Sequence, residues 1–257
     1  MPLRGVFFDL YGTLLCYGDV QAAWSDWIDA FYEGLIPHGL RMYPAELSSR
    51  CDGFFARPEP ESRNKSFTVY EARVDALCLE LGLDVPAKNV SRIANAAASV
   101  WHQYLHLDPD CHAVMAELRT RYTLALVSNF DHPPYAERLL ANLGLADYFA
   151  AVIISGAVGV KKPDPGIFRI ALKRTGLDAN QVVHVGDTDE DVTGASAAGI
   201  QPILIARDSR PTQAAALDFR AGADSLNASE SRLADSLQVL TIRSLSELLT
   251  LLPNHSE

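Results

Sequence analysis

One carboxylate in the sequence stands directly after a short apolar run. Residues 5–8 read Gly-Val-Phe-Phe, and Asp9 follows them before a turn that contains Gly12. Burying an ionised carboxylate at such a position without partners costs several kcal/mol. In open α/β sheets, ligands bind in the crevice beyond the carboxyl ends of the parallel strands. Asp9 is therefore predicted to do chemistry at the end of the first strand.

Polar residues also follow other apolar runs further along the chain. In chain order they are Ser128 with Asn129, Lys162 before a proline, and Asp187. If the strands are parallel, all of these groups converge with Asp9 on one crevice. A nucleophilic carboxylate, hydroxyl and amide groups, an ammonium and a second carboxylate together suit an anionic, electrophilic substrate.

The elements that must position these residues alternate between strands and helices. After the first strand, apolar runs predict strands at Tyr122–Val127, Ala151–Ile154, Val182–Val185, Pro202–Ala206 and Gln238–Ile242. Helical patterns lie at His112–Arg121, Tyr135–Leu143, Pro165–Thr175, Asp191–Ala198 and Ser244–Leu252. The strand hydrophobicity is mostly continuous rather than alternating, which indicates burial on both faces. We therefore predict an α/β fold with a doubly wound parallel sheet and right-handed crossovers.

The interval Tyr17–Leu107 breaks this alternation. It carries apolar residues at helical spacing, with the last stripe running through Trp101 to Leu105, and no convincing strand. It is predicted to be an inserted all-helical cap domain, with an exposed loop at Arg57–Ser66. The core domain then comprises residues 1–16 and 108–257, and the cap comprises residues 17–107. The polar stretch at 209–236 is either a flexible excursion or an extra helix.

Composition narrows the class of protein. The chain has 257 residues, is 48% hydrophobic and carries a formal net charge of −10, which argues against nucleic acid or an anionic membrane as the main partner. No stretch approaches the roughly 18 uncharged apolar residues of a membrane span. The first strand begins so early that we expect no signal peptide, and four scattered cysteines indicate reduced thiols. We expect a soluble cytoplasmic protein.

Four ordered motifs resemble those of the haloacid dehalogenase-like (HAD) hydrolases. They are Asp9-Leu-Tyr-Gly-Thr13, Ser128-Asn129, Lys162-Pro163 and Gly186-Asp187-x-x-x-Asp191. The resemblance covers nearly the whole core, and the helical insertion after the first strand is similar to that of subfamily I. It implies a Rossmann-like HAD core with a helical cap and a hydrolase that acts on a small molecule.

The resemblance also implies the catalytic roles. Asp9 would attack phosphorus, or an electrophilic carbon, to form a covalent intermediate that water then hydrolyses. Gly12 would allow the tight turn that exposes this nucleophile, and Thr13 completes the catalytic motif. Lys162 would hold the nucleophile and the transferring group together by its charge. Asp191 would support Lys162 or a metal-bound water.

Binding roles follow from the same resemblance. Ser128 and the backbone of Asn129 would donate hydrogen bonds to substrate oxygens, where negative charge accumulates. Asp9, the Tyr11 carbonyl oxygen and Asp187 would bind Mg²⁺, a hard ion that takes few carboxylates and keeps several waters.

Tyr11 and Asp187 point to different reactions. In phosphatases of the superfamily the residue two after the nucleophile is usually an Asp, whose acid–base work is worth about 10²–10⁴-fold. A tyrosine, with a pKa of about 10, is a poor general base, and haloacid dehalogenases carry Tyr at this position because halide leaves without a proton. Those dehalogenases, however, use no metal and lack the Gly-Asp of the fourth motif.

Three functions therefore stay open on the sequence. We favour Mg²⁺-dependent hydrolysis of a small phosphate ester through an aspartyl-phosphate intermediate. The alternative is a metal-independent 2-haloacid dehalogenase with an aspartyl-ester intermediate. A third possibility is a non-catalytic phosphate-binding regulatory domain. The substrate and the oligomeric state do not follow from the sequence.

Overall fold

The computed structural model describes residues 2–207 and 239–253. The described residues fall into two compact units, a core unit of residues 2–16, 107–207 and 239–253 and a helical unit of residues 17–106. The polar stretch at 209–236, for which we expected an excursion or an extra helix, lies outside the described residues. That the helical unit acts as a cap stays a prediction.

A six-stranded sheet forms the centre of the core unit. Its strands are β1 (Gly5–Phe8), β4 (Thr123–Ser128), β5 (Ala151–Ile154), β6 (Val182–Gly186), β7 (Gln201–Ile205) and β8 (Leu240–Ile242), in the order β5-β4-β1-β6-β7-β8. Every neighbouring pair is parallel. The predicted α/β class with a doubly wound parallel sheet is therefore confirmed.

Burial explains why these segments form inner strands. All four residues of β1 are buried, and in β4 only the first residue is partly exposed. Continuous apolar strands of this kind need cover on both faces. The chain winds from β1 to β4 and β5 on one side and to β6 and β7 on the other. The strand order thus reverses at β1, where doubly wound sheets bind their ligands.

The helices of the core unit are α5 (Cys111–Leu118), α6 (Pro133–Asn142), α7 (Ser155–Val158), α8 (Gly166–Thr175), α9 (Asp189–Ala197) and α10 (Leu248–Leu251). Helix α8 packs against β4 and β5, and α9 packs against β6 and β7. Phe168 of α8 is fully buried in a cluster with Phe7 and Val127. This packing fixes the strand ends of β1, β4 and β6 relative to one another.

Predicted and observed boundaries differ mainly at helix starts. We predicted helices from Tyr135 and from Asp191, whereas α6 begins at Pro133 and α9 at Asp189. Proline is well suited to the first helical turn because its missing N–H has no intrahelical partner there. Thr188 caps α9 by accepting from the backbone N–H of Asp191, so the helix starts at the residue after this cap.

The helical unit contains α1 (Val20–Leu35), α2 (Pro44–Arg50), α3 (Val69–Glu80) and α4 (Ala87–His102). Helix α1 packs against α2 and α4, and α3 packs against α4. Trp27 of α1 is buried among aromatic rings and donates a 2.9 Å hydrogen bond to the hydroxyl of Tyr70. Residues 57–66 carry no helix or strand and are mostly exposed, as the sequence predicted.

One expectation for this interval is wrong. We predicted no strand between residues 17 and 107, but β2 (Leu15–Tyr17) and β3 (Leu105–Leu107) pair as a two-stranded sheet. Helix α4 ends at His102, so Leu105 does not continue its apolar stripe. Strands of three residues are too short to show a period of two, which is why the pattern did not reveal them.

Candidate active site

Asp9 lies at the carboxyl end of β1, at the point where the strand order reverses. Its backbone N–H donates a 2.9 Å hydrogen bond to the carbonyl oxygen of Val185 on β6, which extends the sheet ladder by one residue and holds the carboxylate in place. The side chain is almost wholly buried. Burial raises the pKa of the Asp9 carboxyl, and the positive charge of Lys162 opposes this effect.

Lys162 connects this carboxylate to a second one. Its ammonium donates to Asp9 Oδ1 at 2.7 Å and to Asp191 Oδ1 at 2.6 Å. Burial by itself would lower the pKa of Lys162, but the charges of Asp191 and Asp9 outweigh it and raise the pKa. Lys162 therefore stays protonated at neutral pH although its side chain is only 3% exposed.

Asp191 is held by the β6–α9 connection around it. Its Oδ1 accepts from Lys162 and from Nε2 of His184, and its Oδ2 accepts from the backbone N–H and the hydroxyl of Thr188. A carboxylate offers about four acceptor positions, so these bonds fill them. Burial would raise the pKa of Asp191, but Lys162 and His184 lower it well below its usual range.

Asp187 closes a cluster of acidic side chains at the end of β6. Oxygen atoms of Asp9, Asp187 and Asp191 lie within 4.8 Å of one another, and all three residues are buried. The main chain leaves little space beside Asp187, because a Cβ added at Gly12 would lie 2.1 Å from Asp187 Oδ2. Gly12 also has a φ of 84°, in the left-handed region that favours glycine.

This donor set fits a hard divalent cation. The cluster brings three carboxylates together with one lysine ammonium, so a negative charge excess remains in a buried place. Because the hydrogen bonds of Asp191 already fill its acceptor positions, Asp9 and Asp187 are the carboxylates that can serve as metal ligands. Oxygen-only ligation of this kind is what Mg²⁺ takes.

Tyr11 stands on the turn that follows Asp9. Its side chain is 8% exposed and its ring lies 5.2 Å from the ring of Phe130, centroid to centroid. Phe130 itself follows the Ser128-Asn129 segment at the end of β4. The position two after Asp9 thus carries an aromatic side chain packed against the end of the neighbouring strand rather than a fourth carboxylate.

Two buried hydroxyl groups complete the crevice. Ser128 ends β4 and Thr13 follows Gly12, and both side chains are fully buried. Within residues 2–207 and 239–253, neither Ser128 Oγ nor Thr13 Oγ1 has a hydrogen-bond partner. A buried hydroxyl without a partner costs free energy, so each of these groups is available to a bound ligand.

The side chain of Asn129 has a different task. Its Nδ2 donates to the carbonyl oxygen of Lys162 at 3.0 Å, and its Oδ1 accepts from the Lys162 backbone N–H at 2.8 Å. The same Nδ2 lies 3.0 Å from Glu190 Oε2 and donates to it. The side-chain amide of Asn129 therefore holds the backbone of Lys162 in place. The backbone N–H of Asn129 is then the group of this residue that a ligand can use.

Comparison with known proteins decides the family. A family model described as haloacid dehalogenase-like hydrolase matches residues 3–199. The chain belongs to the haloacid dehalogenase-like hydrolases. The predicted resemblance is thereby confirmed, and with it the assignment as a hydrolase.

Curated relatives of this HAD-like hydrolase include named phosphatases. Phosphoserine phosphatase of Thermus thermophilus is 40% identical over 119 residues, which are 45% of this chain and 47% of that protein, so the chain matches about half of that relative's length. Phosphoglycolate phosphatase of Yersinia pseudotuberculosis is 30% identical over 198 residues, 77% of this chain and 78% of that protein.

Solved structures show that the fold is shared across different chemistries. A HAD phosphatase of Thermococcus onnurineus superposes with a TM-score of 0.61 at 22% identity, and a 2-haloacid dehalogenase of Pseudomonas syringae with 0.61 at 23%. Each match covers 97% of this chain and 98% of the other. The fold of this HAD-like hydrolase therefore does not say which bond it cleaves.

The sequence predicts most residues of this site but not the residues that support them. The structure places Asp9, Lys162, Asp187 and Asp191 in one cluster, as the strand ends predicted. It also places His184 against Asp191 and Glu190 against the side-chain amide of Asn129, and neither was predicted as a site residue. Their signal was position: one precedes the Gly-Asp motif on β6, and the other lies on the first turn of α9.

Among the described residues of this HAD-like hydrolase, no helix has the length and apolar character to cross a membrane.

Proposed function

We propose that this chain is a Mg²⁺-dependent phosphohydrolase that cleaves a small phosphate ester through a phosphoryl group carried on Asp9. The observation that carries the proposal is the surplus of buried carboxylates around one lysine. A divalent cation balances that surplus, and Mg²⁺ held by one or two carboxylates is also the ion that binds substrate phosphates. Relatives named as phosphatases acting on phosphoserine and phosphoglycolate support the same reaction class.

Asp9 is the proposed nucleophile. Its carboxylate attacks phosphorus, the bond between phosphorus and the leaving-group oxygen breaks, and that oxygen keeps the electron pair. Water then attacks the phosphorus of the aspartyl phosphate, which releases inorganic phosphate and restores the carboxylate. Lys162 keeps its proton throughout, because the carboxylates beside it raise its pKa. Its charge counteracts the effect of burial, which raises the pKa of the Asp9 carboxyl, and it orients the carboxylate for in-line attack.

Neutral donors at the end of β4 have the matching role on the substrate. Ser128 Oγ is buried without a partner among the described residues, and the backbone N–H of Asn129 follows it. We assign both to the non-bridging phosphoryl oxygens, where charge develops during transfer. Thr13 Oγ1, equally buried and without a partner in the described part of the chain, lies on the turn after Asp9 and is assigned to the same catalytic group.

Mg²⁺ would be held by Asp9, Asp187 and the carbonyl oxygen of Tyr11. When bound, it neutralises the charge of the phosphoryl oxygens and of the attacking carboxylate. Asp191 takes no part as a ligand, since Lys162, His184 and Thr188 occupy its oxygens. It instead keeps the lysine ammonium in position.

Tyr11 restricts the leaving group. A phenol with a pKa of about 10 is a weak proton donor and a poorer base at neutral pH. We therefore expect faster turnover of phosphate esters whose leaving oxygen departs without needing a proton. We further propose that the helical unit supplies substrate selection and that the reaction takes place in the cytoplasm, where the four free cysteines of this chain stay reduced.

A 2-haloacid dehalogenase is the second candidate, and Tyr11 is the observation that favours it. In that reaction Asp9 would attack the carbon that bears the halogen, halide would leave with the electron pair, and water would hydrolyse the aspartyl ester. The difficulty is electrostatic. A carboxylate-bearing substrate would add another negative charge to Asp9 and Asp187 in a buried site.

The deciding experiment measures phosphate release from an aryl phosphate and chloride release from 2-chloropropionate, each with Mg²⁺ and with EDTA. We expect phosphate release that EDTA abolishes and that Asp9→Asn and Asp187→Asn both remove. Asp147→Asn, at an exposed position of the core unit, is the matched control and should keep activity. Chloride release at a rate that EDTA does not change would refute the proposal in favour of the dehalogenase. Turnover retained by Asp9→Asn would exclude Asp9 as nucleophile.

A further inference from the structure

Arg207 reaches from the end of β7 to the turn that follows Asp9. Its guanidinium donates to the carbonyl oxygen of Gly12 at 2.6 Å and to that of Thr13 at 2.7 Å, and it also donates to the carboxylate of Asp108. The Arg207 side chain is 16% exposed and the Asp108 side chain 7% exposed. Arg207 and Gly12 are 195 residues apart in the sequence. Arg207 lies outside all four motifs that resemble the family.

The turn has few other ways to hold these two carbonyl groups. Inside it, the backbone N–H groups of Leu14 and Leu15 both donate to Leu10, and the N–H of Gly12 donates to Leu15. None of these bonds uses the carbonyl oxygen of Gly12 or Thr13 as its acceptor. Within residues 2–207 and 239–253, Arg207 is the hydrogen-bond donor to each of them.

Asp108 makes the guanidinium a bridge. Its backbone N–H donates to the carbonyl oxygen of Leu14 at 2.9 Å, and its Oδ1 accepts from the N–H of Asp110 at 2.9 Å. One acid is thus bonded to the turn directly and through Arg207. A planar guanidinium offers several donors in a fixed fork, so it can serve three acceptors at once, which a lysine ammonium on its flexible stem does less well.

We propose that Arg207, anchored by Asp108, is a positioning residue that sets the conformation of the turn after the nucleophile. Gly12 has a positive φ, and a Cβ at this position would overlap the carboxylate of Asp187. By fixing the oxygens of Gly12 and Thr13, Arg207 fixes the two peptides that follow Gly12. These adjoin the Tyr11–Gly12 peptide, whose carbonyl we assign to the cation and whose N–H donates to Leu15. The consequence for catalysis rests on the proposed function, whereas the effect on the turn does not.

The first test needs neither substrate nor metal. Amide hydrogen exchange, followed by mass spectrometry on a peptide that covers residues 9–17, reports the bonds of the turn. We expect Arg207→Ala to lose protection at Gly12, Leu14 and Leu15 while the strands of the sheet keep theirs. Arg169→Ala, an exposed arginine on α8, is the matched control. Unchanged protection of this peptide in Arg207→Ala would overturn the proposal, whatever the enzyme turns over.

The second test concerns the site itself. We expect Arg207→Ala to weaken the Mg²⁺-induced rise in melting temperature and to lower kcat about tenfold or more, the effect usual for a residue that orients a metal ligand, with a smaller change in KM. Millimolar guanidinium should restore part of kcat, and urea at the same concentration should not. Where Arg207→Ala does not fold, Arg207→Lys and Asp108→Asn replace it, with the same readouts and a smaller loss. Full activity and full Mg²⁺ response in a variant whose turn has lost protection would refute the link to the site.

Discussion

Replacing Gly12 with alanine separates the cost of backbone strain from the loss of the site. An alanine at a φ of 84° enters the left-handed region, which costs roughly 1–2 kcal/mol. The unfolded chain of an alanine variant has less conformational entropy than that of the glycine protein. This difference stabilises the folded variant by about 0.4–1 kcal/mol. The net loss of unfolding free energy from the backbone is therefore about 1 kcal/mol.

The added methyl group also meets Asp187. Its Cβ would lie 2.1 Å from Oδ2 and 2.4 Å from Cγ of that carboxylate, far inside contact distance. The carboxylate is the end of a side chain that can rotate, so the overlap is relieved by moving it rather than by unfolding. The stability of the variant should fall little beyond the strain, while the carboxylate leaves the place where we assign it to the cation.

Gly176→Ala is the matched control. Gly176 ends α8 with a φ of 69°, and a Cβ there would meet nothing within 4 Å. It carries the same backbone strain without the clash. Urea unfolding of the two variants should therefore give similar losses of about 1 kcal/mol.

The assay compares Mg²⁺ response and aryl phosphate turnover in these two variants. We expect Gly176→Ala to keep both, and Gly12→Ala to lose the Mg²⁺-induced thermal shift and at least about a hundredfold in kcat/KM, the upper part of the range for disturbing a metal site. Full Mg²⁺ response and turnover in Gly12→Ala would refute the placement of Asp187. Much greater destabilisation of Gly12→Ala than of Gly176→Ala would show that Asp187 cannot move aside.

Two further predictions follow from the charges and the burial. Asp191→Asn removes a carboxylate that raises the pKa of Lys162. The alkaline limb of the pH–rate profile should therefore move to lower pH, and kcat should fall about 10–100-fold. An alkaline limb at the same pH as in the unchanged protein would contradict this role for Asp191. Burial raises the pKa of three cysteine thiols to about 12, namely Cys51, Cys78 and Cys111, so their thiolate fraction at pH 8 is only about 10⁻⁴. Iodoacetamide at pH 8 should therefore modify the half-buried Cys16 first. Mass spectrometry should show one adduct on the native protein and four after denaturation. Several adducts on the native protein would contradict the burial of the other three cysteines.

The strand ends could be predicted because each one carries two signals at once. A continuous apolar run predicts a buried parallel strand, and the polar residue after it has no reason to be there except at a crevice. Asp9, directly after β1, and Asp187, directly after β6, are predicted in this way. The pairing of Lys162 with two carboxylates then follows, since a buried ammonium requires such partners.

Other contacts depend on tertiary geometry that leaves no local pattern. The resemblance implies a role only for the backbone of Asn129. The packing of β4 beside the segment after β5 is what directs the side-chain amide to the backbone of Lys162. Arg207 follows a strand like many surface arginines, and its target lies at the other end of the chain. The β2–β3 pair was missed because three residues show no period.

The distribution of charge in the site bears on the conflict between Tyr11 and Asp187. Asp191 shares the ammonium of Lys162 and has its remaining acceptor positions filled, so most of that positive charge is matched within the protein. Asp9 and Asp187 then remain with a combined charge that one divalent cation balances, and a buried Asp9 stays ionised only if positive charge is close to it. A haloacid cleaved without a metal would add its carboxylate to this surplus, whereas the oxygens of a phosphate ester would bind to the Mg²⁺ that balances it. We therefore propose that Tyr11 limits which leaving group can depart, and its presence does not require that the bond broken be one between carbon and halogen.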